Sequence, residues 1–358
     1  MVNYAAKRFA SYLAESNYFH LSSVRNLAAC LASSNSFSLP PGCPDIASLF
    51  KRAWLDTNKG ITEVWLDCQC EGSSDANLSL ESSLFPSTSI QDAVESLRTR
   101  GWHLFKGVLS PSQVSLLIKE SASFGLSEEL SGQVIGSRDL TRETCISMDG
   151  IRFFYDKRLL YESRLLSDIS ADPVLKGIAQ SYLGTSSLNC LRTGWMSIGR
   201  PTVQSSLRSA AAQEFHFDYD ALRFLKVFIF LSEVGSGSGP HQFYEGSHSK
   251  LPFLEKQLKR IPVNIRVSSS QLNDLYGVDA LKTFEVPMGS VLIEDTTGFH
   301  RGNPLLDGRV RDMLQLFYYD YRFSDLIEGS PSKSRLGRLV DKFQMRISRL
   351  GSPLTRHS

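Results

Sequence analysis

The spacing of apolar residues changes along the chain, from a period typical of helices to one typical of strands. Before Gly184, apolar residues recur every three to four positions, as in Ile90, Val94 and Leu97, and this period predicts amphipathic helices. Asp172, followed by proline, provides a capping residue at the start of one such helix, and Gly184 can end it. After Gly184, short segments rich in β-branched and aromatic residues are separated by Gly, Pro, Ser or Asp, which is typical of strands.

The first part of the chain, residues 1–88, contains three predicted elements and a linker. Helical structure is predicted over Tyr4 to Cys30 and over Ile46 to Leu55, and a short strand over Ile61 to Cys70. Cys70 to Thr88 is rich in serine, which is typical of a flexible linker. We therefore predict an N-terminal extension, to which the sequence assigns no role, followed by a separate domain.

The domain that follows, residues 89–325, is predicted to contain most of the strands. The segments predicted as strands are Trp102 to Val108, Ser187 to Ile198, Glu214 to Tyr219, Phe224 to Leu231, Gly289 to Glu294 and Met313 to Tyr321. Leu126 to Arg142 is mostly polar and is predicted to be a loop. Helices first and strands afterwards favour an α+β fold. Closing the strands into a double-stranded β-helix (a cupin-like jelly roll) leaves few exposed edges and an open mouth for a ligand, so we predict this core with flanking helices.

The end of the chain, residues 326–358, is basic. The apolar residues at helical spacing in this segment are Leu336, Leu339, Val340 and Phe343. We predict a basic helical tail whose charged face is solvated rather than bound to nucleic acid.

Composition limits the partners and the location of the protein. The 358 residues are 42% hydrophobic and 21% charged, with a formal net charge of +2. These values are typical of a soluble globular protein and favour neither nucleic acid nor membrane as a partner. No apolar run reaches about 18 residues, and the first residues lack the continuous apolar stretch of a secretory signal. The six cysteines are scattered, so we expect reduced thiols and a cytoplasmic location.

Candidate metal ligands lie in one of the predicted strands. His216 and Asp218 are two residues apart, so on an extended strand both side chains point to the same face. His300, further along the chain, can complete a face of two imidazoles and one carboxylate. That donor set, with open positions opposite, is typical of non-haem Fe(II) oxygenases. Taken alone, the first pair is also compatible with a core histidine and a salt-bridged aspartate.

The order of motifs from about Ser89 to Phe323 resembles the phytanoyl-CoA dioxygenase family of Fe(II)/2-oxoglutarate oxygenases, which also includes ectoine hydroxylase. The motifs that carry the resemblance are His216-Phe217-Asp218, the loop with Gly239-Pro240-His241 and Gly246-Ser247-His248, the approach from Asp295 to His300, and Arg311 ahead of the last strand. In that family, the HxD pair and the distal histidine bind iron. The resemblance therefore implies His216, Asp218 and His300 as catalytic metal ligands, and Fe(II) and 2-oxoglutarate as cofactors.

The resemblance also implies how 2-oxoglutarate is held. Arg311 is the implied anchor of the remote carboxylate, and its planar fork suits a carboxylate better than a lysine would. Arg309, two residues away, is the alternative if both residues lie on the strand. Lys226 and Thr297 are candidates for a second contact, since Gly302 stands where some relatives have a serine.

The reaction implied by the resemblance is hydroxylation of a small-molecule substrate by dioxygen, with release of succinate and CO2. Asp218 favours hydroxylation or another oxidation over halogenation, because related halogenases lack this carboxylate and use the vacant position for chloride. Two alternatives are a non-catalytic ligand-binding module on the same jelly-roll fold and a structural zinc protein, which the lack of thiolate ligands disfavours. His241 and His248 are expected to form structural hydrogen bonds with the backbone. The sequence indicates neither the substrate nor the oligomeric state.

Overall fold

The computed structural model describes most of the chain from residue 2 to residue 320. The described ranges are 2–32, 46–57, 59–69, 82, 84–86, 90–122, 126–128, 134–135, 151–201, 212–221, 223–249 and 266–320. Most of the serine-rich linker and the whole C-terminal tail lie outside these ranges, so the predictions made for them are not tested.

Four helices form the N-terminal part of the described chain. They are α1 (Val2–Glu15), α2 (Ser22–Ala32), α3 (Ile46–Asp56) and α4 (Gly60–Gln69). A turn over residues 16–21 divides the helical segment predicted at the start of the chain into two helices. The strand predicted over Ile61 to Cys70 is wrong, since the described part of this segment belongs to α4. Ile61 and Val64 are buried while Glu63 is exposed, so the segment buries one side of a helix rather than alternate residues of a strand.

Six further α-helices follow in the described ranges. They are α5 (Ile90–Arg100), α6 (Pro111–Ala122), α7 (Lys157–Glu162), α8 (Arg164–Ala171), α9 (Pro173–Leu183) and α10 (Ser269–Tyr276). The predicted start and end of α9 are confirmed. The Asp172 carboxylate accepts hydrogen bonds from the N–H groups of Val174 and Leu175, at 2.9 and 3.3 Å. Gly184 after the helix has a φ of +59°, where glycine has no steric penalty. None of the helices in the described ranges has the length and apolar character needed to cross a bilayer.

The strands form two antiparallel sheets that face each other. They are β1 (Trp102–Phe105), β2 (Leu126–Glu128), β3 (Val134–Ile135), β4 (Arg152–Tyr155), β5 (Asn189–Ile198), β6 (Phe224–Phe230), β7 (His241–Tyr244), β8 (Leu281–Phe284), β9 (Val291–Glu294), β10 (His300–Gly302) and β11 (Val310–Tyr319). The larger sheet has the order β1-β9-β6-β11-β5-β4-β2-β3, and the smaller sheet has the order β10-β7-β8. One hydrophobic cluster joins Phe228, Leu292 and Met313 of the larger sheet to Phe243 and Phe284 of the smaller. This shared interior confirms the predicted α+β fold with a jelly-roll core.

Helices cover the outer face of the larger sheet. Leu225, Val227 and Leu316 of that sheet belong to one hydrophobic cluster with Leu97 of α5 and Ile178 of α9. Because one face of β6 packs on helices and the other faces the smaller sheet, every residue of β6 is buried. This burial on both faces explains its nearly continuous apolar sequence.

Several regions differ from the predicted strand pattern. The segment from Leu126 to Arg142, predicted to be a loop, contains the short strands β2 and β3, of which β3 is at the edge of the larger sheet. The strand predicted over Glu214 to Tyr219 is replaced by isolated bridges to Val267 and His300. Strands β4, β7, β8 and β10 were not predicted. Each has only three or four residues, which is too short for a period to be visible.

A buried carboxyl group in β11 gives the fold a testable pH dependence. The hydroxyl of Tyr155 donates to both oxygens of Asp312 at 2.8 Å, and burial raises the pKa of this carboxyl to about 7. The folded protein therefore binds more protons than the unfolded chain between about pH 4 and pH 7. Over this window the free energy of unfolding should fall as pH rises, by up to about 1.4 kcal/mol per pH unit, with no further contribution above it.

An Asp312→Asn variant should lack this slope while keeping an acceptor for Tyr155. Urea unfolding at several pH values, from acidic to slightly alkaline, measures the effect. We expect the original protein to lose stability relative to the variant as pH rises to neutral, and the difference to become constant above it. Parallel stability profiles for the two proteins would contradict the assignment.

Candidate metal centre

The three predicted ligands meet at one point in the structure. His216 and His300 form an antiparallel bridge in which each backbone N–H donates to the carbonyl of the other, at 3.0 and 2.8 Å. Residues paired in this way carry their side chains on the same side, and the two imidazole centroids are 4.4 Å apart. The N–H of Asp218 donates to the Thr296 carbonyl at 2.8 Å, which fixes the carboxylate beside the two rings.

The distances between the donor atoms fit a single metal ion. Oδ1 of Asp218 lies 3.6 Å from Nε2 of His216, and Oδ2 lies 3.3 Å from Nε2 of His300. One ligand atom from each side chain lies within 4.8 Å of the others, and no fourth His, Cys, Asp or Glu of the described ranges joins the group. Ligand atoms bound about 2.1 Å from one ion are about 3 to 4 Å apart. Three protein ligands on one side leave coordination positions open on the other.

Hydrogen bonds at the far side of each ring orient the two imidazoles. Nδ1 of His216 is 2.9 Å from the Glu214 carbonyl, and Nδ1 of His300 is 2.9 Å from the Gly298 carbonyl. Because a carbonyl oxygen can only accept, both Nδ1 atoms carry the hydrogen. In the neutral rings, each Nε2 therefore keeps a free lone pair directed towards Asp218, as a metal ligand requires.

Charges around the site set the protonation of the ligands. Burial, and then the neighbouring His300, lowers the pKa of His216 to about 3, so this imidazole is neutral at physiological pH. Burial alone would raise the pKa of Asp218, but Lys226 and His300 lower it well below its usual value. Burial disfavours the charged form of His300, but the Asp218 carboxylate outweighs it and raises the pKa of this ring. A metal ion therefore competes with a proton mainly at His300.

Lys226 lies next to the predicted metal ligands. Its ammonium is 2.7 Å from Oδ2 of Asp218 and 2.9 Å from Oδ2 of Asp220. Burial alone would lower the pKa of Lys226, but the two carboxylates raise it. On β11 the residue paired with Lys226 is Phe317, far along the strand from Arg311. A contact of Lys226 with the cofactor stays a prediction.

A buried pair of side chains beside the ligands was not predicted. Nε2 of His241 is 2.7 Å from Oε2 of Glu294, and the ring of His241 stacks 5.7 Å from that of His300. Glu294 is 0% exposed, and burial raises its pKa to about 8. His241 thus bonds a carboxyl group rather than the expected backbone, whereas His248 donates to the Arg98 carbonyl at 3.1 Å as expected. The sequence signal that could have indicated this pair is a single acidic residue, Glu294, at the end of an apolar strand.

Arg311 is a buried cation without an acidic partner among the described residues. The residue is 4% exposed, one guanidinium N–H donates to the Gly239 carbonyl, and Nε has no hydrogen-bond partner in the part of the chain that the structure describes. Burial, with Arg152 nearby, lowers the pKa of Arg311 to about 10, so the group is still charged at neutral pH. A buried charge is costly unless it is paired, so an anion is expected to bind here. Arg309, the alternative, is exposed in the turn before β11.

The guanidinium of Arg311 lies on the same side of β10 as the distal ligand. A Cβ atom added to Gly302 would lie 2.5 Å from one of its nitrogens, so the side chain occupies the space that a serine at this position would need. Gly302 and His300 are two residues apart on β10 and therefore face the same way. Two residues of a strand span about 7 Å, which is the scale of a short dicarboxylic acid.

Thr297 lies in the turn that leads to His300. Its hydroxyl and its N–H both donate to Oδ1 of Asp295, at 2.6 and 3.0 Å. The hydroxyl of Tyr182 donates to Oδ2 of the same carboxylate at 2.7 Å. Thr297 therefore stabilises the turn, and its predicted contact with the cofactor is not tested by these bonds.

Comparisons with known proteins give a likeness of fold only. No family model matches the chain, and no curated protein matches it. A similar solved structure is the epimerase SnoN in complex with Fe3+, alpha ketoglutarate and nogalamycin RO, with 12% identity, 70% of this chain and 93% of that chain covered, and a TM-score of 0.47. HygX from Streptomyces hygroscopicus with nickel and 2-oxoglutarate bound has 16% identity, 64% and 86% coverage, and a TM-score of 0.41. EvdO2 from Micromonospora carbonacea var. aurantiaca complexed with 2-oxoglutarate has 15% identity, 67% and 92% coverage, and a TM-score of 0.41. At such low identities and TM-scores, these likenesses carry no weight for the activity of this chain, and the resemblance to one particular family stays a prediction.

Proposed function

We propose that this protein is an Fe(II)- and 2-oxoglutarate-dependent oxygenase that hydroxylates a small-molecule substrate with dioxygen. One observation carries the proposal: an open site of two imidazoles and one carboxylate lies about two strand residues from a buried arginine that has no acidic partner among the described residues. Neither the group of three ligands nor the buried arginine, taken alone, is specific for this class of enzyme. Together they support a site in which one end of a small dicarboxylic acid contacts the metal ion and the other end contacts the arginine.

The donor set supports iron as the metal. Neutral imidazole and carboxylate suit Fe(II), and a facial set of two His and one carboxylate with open positions is typical of non-haem Fe(II) oxygenases. A structural zinc site would use four ligands, often including thiolates. Within the described ranges the group has only the three ligands His216, Asp218 and His300, and the thiol of Cys190 lies outside it.

The position of Arg311 supports 2-oxoglutarate as the cosubstrate. A planar guanidinium can bind a carboxylate through two parallel hydrogen bonds, and its nitrogen Nε is available for one of them. The ammonium of Lys226 already contacts two carboxylates, and the hydroxyl of Thr297 already donates to Asp295. We therefore assign Arg311 the anchoring role and propose Lys226 and Thr297 only as additional contacts.

The residues of the chain would hold the reactants and keep the site selective. When bound, Fe(II) and 2-oxoglutarate supply the oxidation of the substrate by dioxygen, with succinate and CO2 as the other products. His216 and His300 are oriented by their Nδ1 hydrogen bonds, and Lys226 fixes the Asp218 carboxylate. Apolar side chains between the two sheets exclude water from the interior. Arg311 orients the cosubstrate by its remote carboxylate.

We also propose limits for the catalytic domain and a cellular location for the protein. The catalytic domain would span residues 89–325, between the extension of residues 1–88 and the tail of residues 326–358. The start of α5 at Ile90 supports the first limit. A cytoplasmic location is supported by Cys190, which forms no disulfide within the part of the chain that the structure describes, since disulfides are rare in that compartment.

Succinate release tests the proposed function. Aerobic protein with Fe(II) and 2-oxoglutarate is incubated with fractions of a metabolite extract, and succinate is measured together with products one oxygen atom heavier than a precursor. We expect at least one fraction to raise succinate above the level without extract, and an Arg311→Met variant to abolish the increase. If no fraction raises succinate although the metal and 2-oxoglutarate bind, the alternative of a ligand-binding module is favoured.

A further inference from the structure

Lys59 joins the N-terminal helices to two loops next to the distal ligand. It lies in the turn between α3 and α4, and its side chain is 8% exposed. Its ammonium donates hydrogen bonds to the backbone carbonyls of Ser247, His248 and Thr297, at 3.1, 2.6 and 3.1 Å. These three acceptors match the three N–H donors of an ammonium group, so this single side chain connects three segments of the chain.

The two loops that Lys59 connects fix the backbone ahead of His300. Thr297 comes three residues before His300, and its carbonyl is held by the ammonium. Ser247, in the other loop, accepts a hydrogen bond at its hydroxyl oxygen from the N–H of Phe299, at 2.8 Å. Phe299 directly precedes His300. A shift of either loop would therefore move the imidazole that completes the metal site.

Placing Lys59 at this position costs folding free energy, and part of that cost would be avoided by an apolar side chain of similar size. Lys59 has a φ of +72°, which residues other than glycine rarely adopt. Burial lowers its pKa to about 7, a sign that the ammonium has lost most of its hydration. The ring of Trp54, with its centroid 5.1 Å away, and the charge of Asp295 offset part of this loss. A methionine would fill similar space without the charge, so the hydrogen bonds to the carbonyls are the feature that requires a lysine.

The same pair of helices also contacts the segment that carries the other two ligands. The ring centroid of Trp54 in α3 is 4.4 Å from that of Tyr219 and 5.3 Å from that of Phe217. Phe217 lies between His216 and Asp218 in the sequence. The N-terminal helices therefore pack against both parts of the chain that form the metal centre.

We infer that Lys59 is a positioning residue of the metal centre, which fixes the loops around His300 so that its imidazole faces His216 and Asp218 before a metal ion binds. It acts through backbone carbonyls and is not itself a ligand. The inference rests on the proposed function, because it requires these three side chains to be metal ligands. It gives the α3–α4 turn a role in a site that lies far away in the sequence.

Binding of Co(II) to the full-length protein, followed by its visible ligand-field bands, tests the inference. In Lys59→Met the hydrogen bonds are lost while the length of the side chain is kept, and we expect the affinity for Co(II) to fall about tenfold or more, as for other outer-shell partners of metal ligands. The bands should also change in position or intensity. Lys59→Arg, which keeps the charge and N–H donors, should recover part of the affinity and the original bands.

Leu27→Ala is a matched control, because Leu27 is buried in α2 within the same N-terminal core. It should lower the melting temperature of the metal-free protein but leave Co(II) affinity within about twofold, because a leucine side chain donates no hydrogen bond to the loops around His300. If Lys59→Met binds Co(II) with unchanged affinity and bands, or if affinity falls in proportion to stability in both variants, the inference is wrong. If the unaltered, folded protein binds no Co(II), both the inference and the proposed function are wrong.

Discussion

Replacing Asp218 with asparagine is expected to lower the affinity for Fe(II) more than about 100-fold, since loss of an outer-shell partner alone typically costs 10- to 100-fold. The substitution removes the only anionic member of the proposed ligand set and leaves the shape of the side chain nearly unchanged. Anaerobic titration with Fe(II) measures the loss. Product formation should disappear with it. The melting temperature of the metal-free protein should also fall, because the substitution removes one of the two carboxylates that contact Lys226, so circular dichroism is used to confirm that the variant is folded.

Asp220→Asn provides the matched control for this prediction. Asp220 carries the same charge, lies two residues away and also contacts Lys226, at 2.9 Å, but it does not belong to the ligand group. We expect this variant to bind Fe(II) nearly as well as the original protein. Equal losses in both variants would mean that the charge near Lys226, rather than direct ligation by Asp218, determines the affinity.

Replacing Arg311 with methionine is expected to weaken 2-oxoglutarate binding by at least about 30-fold. Removal of one partner of a buried, hydrogen-bonded charge pair typically costs about 2 kcal/mol or more, which corresponds to that factor. Because Arg311 lies beyond the metal ligands, Fe(II) affinity should be kept. Isothermal titration of the Fe(II)-loaded protein with 2-oxoglutarate under anaerobic conditions separates the two effects.

Arg309→Met is the control for Arg311, since it removes the other arginine that the sequence offers. Arg309 is exposed, and an exposed pair of opposite charges contributes about 0 to 1 kcal/mol. We expect at most a few-fold change in 2-oxoglutarate affinity. A larger loss in Arg309→Met than in Arg311→Met would reverse the assignment of the anchor.

The proposed ligands were accessible from the sequence because each stands in a recognisable local context. His216 and Asp218 have the two-residue spacing that places both side chains on one face of an extended segment, and this holds although the segment forms only isolated bridges rather than a strand. Arg311 and Arg309 could not be separated by spacing alone. Their difference is burial, which depends on how β11 begins and on the space left by Gly302.

The parts of the site that the sequence did not reveal depend on contacts between distant segments. Glu294 looks like an ordinary polar end of a strand until the fold places His241 beside it. Lys59 lies in a region with no functional motif, and its partners are the backbone carbonyls of loops 188 to 238 residues away. A backbone acceptor has no signature in the sequence, so such a contact becomes visible only in the folded chain. The strand predicted over Ile61 to Cys70 was wrong for a more local reason, because a short apolar run fits both a strand and a helix.

The most direct test of the account is the visible absorption of the protein after anaerobic addition of Fe(II) and 2-oxoglutarate. Chelation of the metal by 2-oxoglutarate at a site made by His216, Asp218 and His300 should give a weak charge-transfer band that is absent in His216→Ala. Loss of the band in that variant, with the fold intact by circular dichroism, is the predicted result. A well-folded original protein that shows no such band, or a band of equal strength in His216→Ala, would contradict the assignment of this site.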